Sequence, residues 1–305
     1  MDLATALLAS TLTMAVPLLL AALGELLVER AGVINIGLEG MMLSGAFAAM
    51  VTTYASGSPT LGVIAASASG AILGGLFALV VVYRNANQVV TGVALNLLAA
   101  GLTGVAYRAV FGITGAALTV AGIAPIAIGG LARLPVVGEA LFAQTPLGYL
   151  ALALVPASAF LLFGTVPGLE LRMVGENPQA AAAQGVAVAR VRTLALLACG
   201  ALAGMAGAYL AVVYARTFIE GMSAGRGFIA LAIVIFGRWS PVGILVAALL
   251  FGLATALQFH FQALGLAVPY QFFLMLPYVM TLLALSVSAG KSRAPAALGQ
   301  PYLRE

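Results

Sequence analysis

Charged residues are scarce in this sequence of 305 residues, since Asp, Glu, Lys and Arg together make up only 7% of it. Soluble domains carry about 25% charged residues, and this chain has too few to cover a water-facing surface of its size. Hydrophobic residues make up 63%, and the mean hydropathy is +1.14. The composition therefore indicates an integral membrane protein and excludes soluble enzymes, nucleic-acid-binding proteins and disordered proteins.

Residues with reactive or metal-binding side chains are equally scarce. Cys199 is the single cysteine and His260 the single histidine, which excludes an internal disulfide, a cysteine-based metal cluster and an HExxH site. The sequence also lacks the paired acids, Ser/His pair or ligand set of an intramembrane enzyme. We therefore expect no catalytic residue, no metal site and no cofactor in this chain.

Apolar runs of the length that crosses a bilayer recur along the whole chain. A transmembrane helix needs about 20 mostly apolar residues, and the shorter apolar piece at 227–237 is predicted to be a short or broken span. These runs predict an all-α polytopic helical bundle of about 8–10 spans, forming a single domain over 1–305. The predicted full-length spans are 3–24, 36–55, 61–83, 87–107, 147–166, 193–215, 241–262 and 269–288.

Basic residues gather at alternate ends of these spans. Arg30, Arg238 and the cluster within 172–192 fall on one side, which the positive-inside rule assigns to the cytoplasm, with an external amino terminus. The glycine-rich stretch 112–146 is then predicted to be an external loop, with a re-entrant or amphipathic piece around 118–128.

Polar residues and glycines occur together at the start of the second predicted span. The segment ERAGVINIGLEG at 29–40 places Asn35 and Glu39 among three glycines. A carboxylate near lipid usually faces a cavity, a partner or water, and glycines permit broken helices whose free backbone groups can hold a polar solute. Glu39 is predicted either to contact a solute, or to pair with Arg30 or brace the helix end.

A second group of polar residues opens the fourth predicted span. At 100° per residue, Gln88 and Thr91 share one helix face, and Asn96 lies about 60° from Gln88. These uncharged groups are suited either to hydrogen-bond a hydroxylated or heterocyclic solute or to form hydrogen bonds between helices.

The polar loop 172–192 contains a short helix signal. Asn177 suits an N-cap, Pro178 the first helical position and Gly185 the helix end, and alanines fill the space between them. A short exposed helix between two spans does not anchor a chain in the membrane, so it indicates a surface that another protein binds.

These segments together resemble permease subunits of ABC importers in the branched-chain amino acid and simple-sugar permease family, in particular the nucleoside-uptake subgroup. They occur in the family's order and cover most of the chain. The matching stretches are GELLVERAGVINIGLEGMMLSGAFAA at 24–49, NQVVTGVALNLLA at 87–99, GENPQAAAAQGV at 175–186, GALAGMAGA at 200–208 and GRGFIALAIVIFGRWSPVG at 225–243.

The resemblance implies that loop 172–192 carries a coupling helix that docks on a separate ATPase chain, which binds ATP and Mg. The sequence itself has no GxxxxGK[ST] motif, because Leu285 stands where Gly290-Lys291-Ser292 would require glycine. The further implied partners are a second homologous permease in a heterodimer, a solute-binding lipoprotein or periplasmic protein, and the bilayer of a bacterial inner membrane. The implied ATPase contacts are Glu176, Asn177, Pro178, Ala181 and Gly185.

The solute implied by the resemblance is a nucleoside, for which neutral hydrogen-bonding groups and an aromatic face are suitable. A simple sugar of the ribose type would use similar groups and remains an alternative. An ion-coupled secondary transporter is a further alternative, although only Glu39 and His260 could serve it within the spans. The candidate pathway residues are Asn35, Glu39, Gln88, Thr91, Asn96 and Phe228.

Overall fold

The described part of the chain is mostly α-helical. The computed structural model describes residues 3–112, 119–134, 138–263, 271–272, 275, 279 and 294–302. The helices in this part of the chain are α1 (Leu3–Arg30), α2 (Leu38–Ser56), α3 (Pro59–Val81), α4 (Gln88–Phe111), α5 (Gly138–Phe142), α6 (Pro146–Gly164), α7 (Val166–Glu176), α8 (Pro178–Ala183), α9 (Val188–Ala208), α10 (Arg226–Phe236) and α11 (Pro241–Ala263).

Six helices of the described residues are long and apolar enough to cross a membrane, which confirms an all-α polytopic membrane protein. Helix α2 has the length of a span but is less apolar, and it lies between α3, α4 and α9. The predicted span 269–288 lies outside the described residues. The six are Thr5–Arg30, Pro59–Val81, Gln88–Phe111, Pro146–Gly164, Val188–Tyr214 and Pro241–Ala263.

Helix α1 continues to Arg30, beyond the predicted end of the first span at residue 24. The prediction ended the span where charged residues begin. In the structure, Glu25 and Glu29 are buried, with exposures of 0% and 3%, because both carboxylates accept hydrogen bonds inside the protein. These acids therefore belong to the interior of the bundle and not to its surface.

Glycines set the close packing of α3 against α9 at the centre of the bundle. Gly70 of α3 faces Gly200 of α9, and a Cβ added to either residue would overlap the carbonyl oxygen of the other. Gly74 lies equally close to the backbone of Leu196. The GxxxG spacing at 70–74 and 200–204 therefore brings two backbones into contact, as such pairs do in membrane helices.

The stretch 112–146 contains regular structure that the loop prediction missed. Strands β1 (Ile126–Ala127) and β2 (Ala143–Gln144) pair antiparallel, and α5 lies between them in sequence. Residues 119–125 are not helical. The amides of Val120 and Ile123 donate to the carbonyls of Arg216 and Val212, so the segment runs beside the end of the α9 span.

The stretch 172–192 is nearly all helical and not an open loop. Helix α7 extends to Glu176, and Asn177 then caps α8, its side-chain oxygen accepting from the amide of Ala180 at 3.0 Å. Pro178 occupies the first turn and Gly185 has a positive φ of 87°. The short helix and its cap lie where the sequence predicts them.

Candidate functional site

The connection between α1 and α2 is a buried break in the helical structure, formed by residues 31–37. Side chains from α4 satisfy its backbone: Gln88 Oε1 accepts from the amide of Ile34 at 2.8 Å. The amide group of Asn96 bonds twice, donating to the carbonyl of Ile36 at 2.9 Å and accepting from the amide of Gly40 at 2.8 Å. The polar face predicted on α4 therefore holds a neighbouring segment of the same chain in place.

Asn35 lies at the centre of this break, fully buried. Its backbone N–H donates to Glu25 Oε1 at 2.9 Å, and the nitrogen of its side-chain amide contacts the sulfurs of Met41 and Cys199. Cys199 also donates to Glu25 Oε2 at 3.4 Å. Asn35, predicted as a pathway residue, is thus part of a polar cluster enclosed by α1, α2 and α9.

Glu39 connects the first turn of α2 with the amino terminus of α10. Its two carboxylate oxygens accept from the amides of Gly225 at 2.8 Å and Gly227 at 2.6 Å. The amino-terminal amides of a helix lack partners within the helix and carry a partial positive charge, so a carboxylate there satisfies both needs. Glu39 caps a helix that is distant in sequence.

The predicted local pair between Glu39 and Arg30 is wrong. Arg30 donates from Nε and Nη2 to the carbonyl of Trp239, at 3.1 and 2.5 Å. The indole nitrogen of Trp239 donates in turn to Glu29 at 2.5 Å. The end of α1 is thereby joined to the carboxyl-terminal end of α10, while Glu39 holds the amino-terminal end of that helix.

Helix α10 is short because the chain approaches it through an irregular segment, residues 215–225. The segment follows a π-helical turn, Tyr209–Tyr214, that ends the α9 span. Glu220 forms an ion pair with Arg108 at 3.5 Å, whereas Gly225 lies beside Glu39 at the level of Asn96. Arg108 and Asn96 are separated by about 18 Å along α4. Glu220 and Gly225 therefore lie beside the part of α4 between these two residues, and α10 is a short apolar helix of 11 residues at the position of the apolar piece 227–237.

Much of this irregular segment is exposed. Ile219 is 61% exposed, and the side chain of Glu220 is 51% exposed. The exposed residues of the segment are 216, 219–221 and 224. Where irregular backbone lies at membrane depth, it must be buried in protein or line a water-filled cavity, so this open surface is a candidate for contact with water or with another protein.

An aromatic cluster holds the middle of this segment against the bundle. Phe218 is only 3% exposed and packs edge-on to Phe47, with ring centroids 5.3 Å apart. It also packs against Tyr107 of α4 at 5.6 Å. The segment is therefore anchored by one buried ring while its neighbours remain open.

The predicted pathway residues fall into two groups. Asn35, Gln88 and Asn96 surround the buried break, and Glu39 connects it to α10. Each of the four bonds to another part of the chain, while the side-chain oxygen of Asn35 is buried without a hydrogen-bond partner. The side chain of Phe228, on the first turn of α10, is 49% exposed. Thr91 is half-buried on α4.

The predicted ATPase contacts also divide by exposure. Pro178 and Ala181 are buried on the inner face of α8, where Ala181 packs with Val174 and Val188. Glu176, Asn177 and Gly185 are exposed on the outer side. The face of α7 and α8 that is open to a partner consists of residues 176, 177, 179, 180 and 183–185.

Several residues of the buried network were missed by reasoning from sequence. Glu25, Glu29, Trp239 and Arg192 all lie inside it. One signal was available in the sequence. Glu25 and Glu29 are four residues apart and so share a helix face, and in a chain with so little charge this spacing indicates that both acids face the interior of the bundle. No set of three or more His, Cys, Asp or Glu residues within the described part of the chain could hold a metal ion.

Comparison with known proteins gives consistent matches over nearly the whole chain. The family model described as "Branched-chain amino acid transport system / permease component" matches residues 7–285. The guanosine ABC transporter permease protein NupQ of Bacillus subtilis is 37% identical over 97% of this chain and 95% of its own length. The nucleoside ABC transporter permease protein NupC of Lactococcus lactis is 38% identical over 97% and 96%. TsgC13 of Haloferax volcanii, an ABC transporter permease protein named for glucose, is 39% identical over 100% and 99%.

Each of these organisms has a second permease protein that matches over a smaller share of the chain. These are NupP in B. subtilis, NupB in L. lactis and, named for glucose, TsgB13 in H. volcanii. No solved structure is significantly similar to the chain. Together with the six membrane-crossing helices, the matches show that the chain belongs to the family of permease components of branched-chain amino acid transport systems and is a permease subunit of an ABC transporter.

Proposed function

We propose that the chain is one of two different permease subunits of an ATP-driven nucleoside importer in a bacterial plasma membrane. The observation that carries the solute is the near full-length similarity to permeases named for guanosine and for nucleosides. The pairs of permease proteins in the three organisms support a heterodimer. The nucleotide site, with ATP and Mg, is assigned to a separate ATPase chain, since this sequence lacks a P-loop.

The exposed segment 215–225 and the first turn of α10 are the proposed lining of the solute pathway. Helix α10 is short and apolar, follows an irregular segment, and has its amino terminus fixed by Glu39, an arrangement typical of the broken helices at transporter binding sites. Phe228 offers an open aromatic face that suits a nucleobase. Asn35, Gln88 and Asn96 act in this proposal by shaping the pathway from behind and not by binding the solute.

The exposed outer face of α7 and α8 is the proposed docking surface for the ATPase. Its helices are preorganised by the Asn177 cap and by the packing of Ala181 against Val174 and Val188. A solute-binding lipoprotein or periplasmic protein is proposed to deliver the solute to the opposite side. A simple sugar remains the second candidate solute, because TsgC13 and TsgB13 of H. volcanii are both named for glucose and are 39% and 32% identical over 100% and 80% of this chain.

The requirement for an ATPase is tested by reconstitution in proteoliposomes. The complex of this chain, its second permease, the ATPase and the solute-binding protein should accumulate guanosine only when ATP is hydrolysed. The chain alone, or the two permeases alone, should accumulate nothing under a proton or sodium gradient. Concentrative uptake without the ATPase would contradict this proposal and favour an ion-coupled transporter.

The solute is tested by competition in the same complex. Unlabelled adenosine and guanosine should suppress the uptake of labelled guanosine, whereas ribose, glucose, amino acids and GMP should not. Preferential transport of ribose or glucose would contradict the nucleoside assignment and leave the importer assignment intact. A Phe228→Ala variant should raise the KM for guanosine, while Phe228→Tyr, which keeps the ring, should not.

A further inference from the structure

The carboxyl-terminal segment 294–302, here named the strap, joins two parts of the protein that have separate tasks in the proposed function. One is the α7–α8 region that carries the proposed docking face. The other is the buried break 31–37, whose next turn contains Glu39. The described residues of the strap form local turns of their own, with the amide of Leu298 donating to Pro295 and that of Gln300 to Ala297.

Backbone hydrogen bonds tie the strap to both sides. The amide of Ala297 donates to the carbonyl of Gly175 in α7 at 2.9 Å, and the amide of Gly299 donates to the carbonyl of Gly32 at 3.1 Å. The amide of Ala296 also donates to the carboxylate of Glu176 at 3.3 Å. A segment that only filled space would not need main-chain bonds to two separate elements.

Gly32 is the point where these elements meet. Its φ of 81° lies in the left-handed region. A Cβ added there would lie 3.1 Å from Arg192 Nη2, 3.2 Å from the carbonyl oxygen of Ala297 and 3.4 Å from the Cα of Gly175. Because tightly packed contacts transmit displacement and do not absorb it, a shift of α7 must move the strap, the break or both.

Arg192 closes this junction from α9. Its side chain is 3% exposed, and it donates to the carbonyl of Ala31 at 3.1 Å and to that of Gln300 at 3.3 Å. At the far end of the strap, Tyr302 packs against the cluster of Val174, Ala181 and Val188 beneath α8. The strap is therefore held at both ends and in the middle.

We propose that the strap is a positioning element that transmits movement of α7–α8 to the break 31–37, and through Glu39 to the amino terminus of α10. The inference rests on the proposed function, because it assigns the origin of the movement to the docked ATPase. The physical requirement is a contiguous packed connection between two sites, and the contacts at Gly175, Gly32 and Glu39 supply each link.

The test uses the assembled importer in nanodiscs with guanosine as the probe. One variant lacks residues 294–305, a second is Tyr302→Ala, and Tyr302→Phe is the matched control that keeps the ring. The ATPase should copurify with all three. In the deletion and in Tyr302→Ala, basal ATP hydrolysis should stay within about twofold of the wild type, while guanosine stimulation falls by about fivefold or more, the lower range of coupling between distant sites. Tyr302→Phe should behave as the wild type.

Three results would overturn the inference. Wild-type stimulation in the deletion variant would show that the strap transmits nothing. Loss of the ATPase from the purified deletion and Tyr302→Ala complexes would make the strap part of the docking surface only. If the deletion variant fails to insert into the membrane, the Tyr302→Ala variant is used instead. Wild-type stimulation of its ATP hydrolysis by guanosine would overturn the inference. A wild-type complex with no solute stimulation would contradict the proposed function as well.

Discussion

The two breaks in the helical structure have opposite surroundings. Residues 31–37 are buried, with Ala31, Val33 and Asn35 at 0% exposure, and their backbone groups are satisfied by Gln88, Asn96 and Glu25. Residues 215–225 are open at 216, 219–221 and 224 and are anchored at Phe218 and Ser223, which are buried. Backbone that leaves a helix within a membrane must find partners in protein or in water. The buried break is therefore an anchor, and the exposed break is the surface proposed to line the solute pathway.

The largest effect is expected from substitution of Glu39, because its side chain connects the buried break with the helix that follows the exposed break. Glu39→Ala leaves the amides of Gly225 and Gly227 without their acceptors, at a cost of about 1–3 kcal/mol for each buried donor. We expect α10 to lose its fixed position and guanosine uptake to fall to background. Thermal unfolding and uptake of the purified complex measure both effects.

Glu220→Ala is the matched control for Glu39. It removes an acid from an ion pair with both side chains more than half exposed, and such pairs contribute about 0–1 kcal/mol. The control applies to the thermal unfolding, and equal losses of stability in the two variants would mean that the cap on α10 has no special role.

Asn96→Leu should have the next largest effect. Leucine has a similar size but cannot bond to Ile36 and Gly40, so two backbone groups lose their partners, at about 1–3 kcal/mol each. Stability and uptake should fall together, and the ranking of competing solutes should stay unchanged. If the ranking of competing solutes changed while the stability stayed the same, Asn96 would contact the solute and line the pathway.

Gly92→Ala should be less harmful but still measurable. The added Cβ would lie 2.8 Å from the amide nitrogen of Gly37 and from the Cβ of Ile36, and overpacking of this kind costs about 1–3 kcal/mol. Gly101→Ala on the same helix meets nothing within 4 Å and should be tolerated. The midpoint of thermal unfolding in detergent compares the two, and equal midpoints would show that α4 does not press on the buried break.

The smallest effect is expected from the exposed ion pair between Arg108 and Glu220. Arg108→Gln removes the ion pair with Glu220 and should change thermal stability by about 0–1 kcal/mol. The change should shrink further at high salt, because exposed charges are screened. If Arg108→Gln lost as much thermal stability as Asn96→Leu, the ion pair of Arg108 with Glu220, and not the buried break, would hold this part of the fold.

Local patterns predicted local structure well in this chain. The cap, first turn and end of α8 depend on residues within the helix itself, and Asn177, Pro178 and Gly185 all lie where their types predict. The apolar runs predicted most spans for the same reason. The end of α1 was predicted too early, because the burial of Glu25 and Glu29 depends on Cys199 and Trp239 far along the chain.

The contacts of the site depended on tertiary structure that no spacing encodes. The polar residues of the break and of α4 were found from their types, but their two possible roles could not be separated. For Glu39 the sequence left solute contact, a pair with Arg30 and bracing of the helix end open, whereas its partners in the structure are the amides of Gly225 and Gly227. Every residue except proline has a backbone amide, so the sequence does not show which amides a carboxylate will bind, and this cap could not be predicted from it.

Cysteine accessibility in the assembled importer tests the contrast between the two breaks most directly. In a Cys199→Ala background, single cysteines replace Ile219 in the exposed break, Val33 in the buried break and Leu97 on the outer face of α4. A membrane-impermeant thiol reagent needs a thiolate in water. We expect Ile219→Cys to react quickly. Val33→Cys, which is buried, and Leu97→Cys, which is exposed on an apolar helix long enough to cross a membrane, should both react slowly. Reaction of Ile219→Cys no faster than Leu97→Cys, or rapid reaction of Val33→Cys, would contradict the assignment of the pathway to residues 215–225.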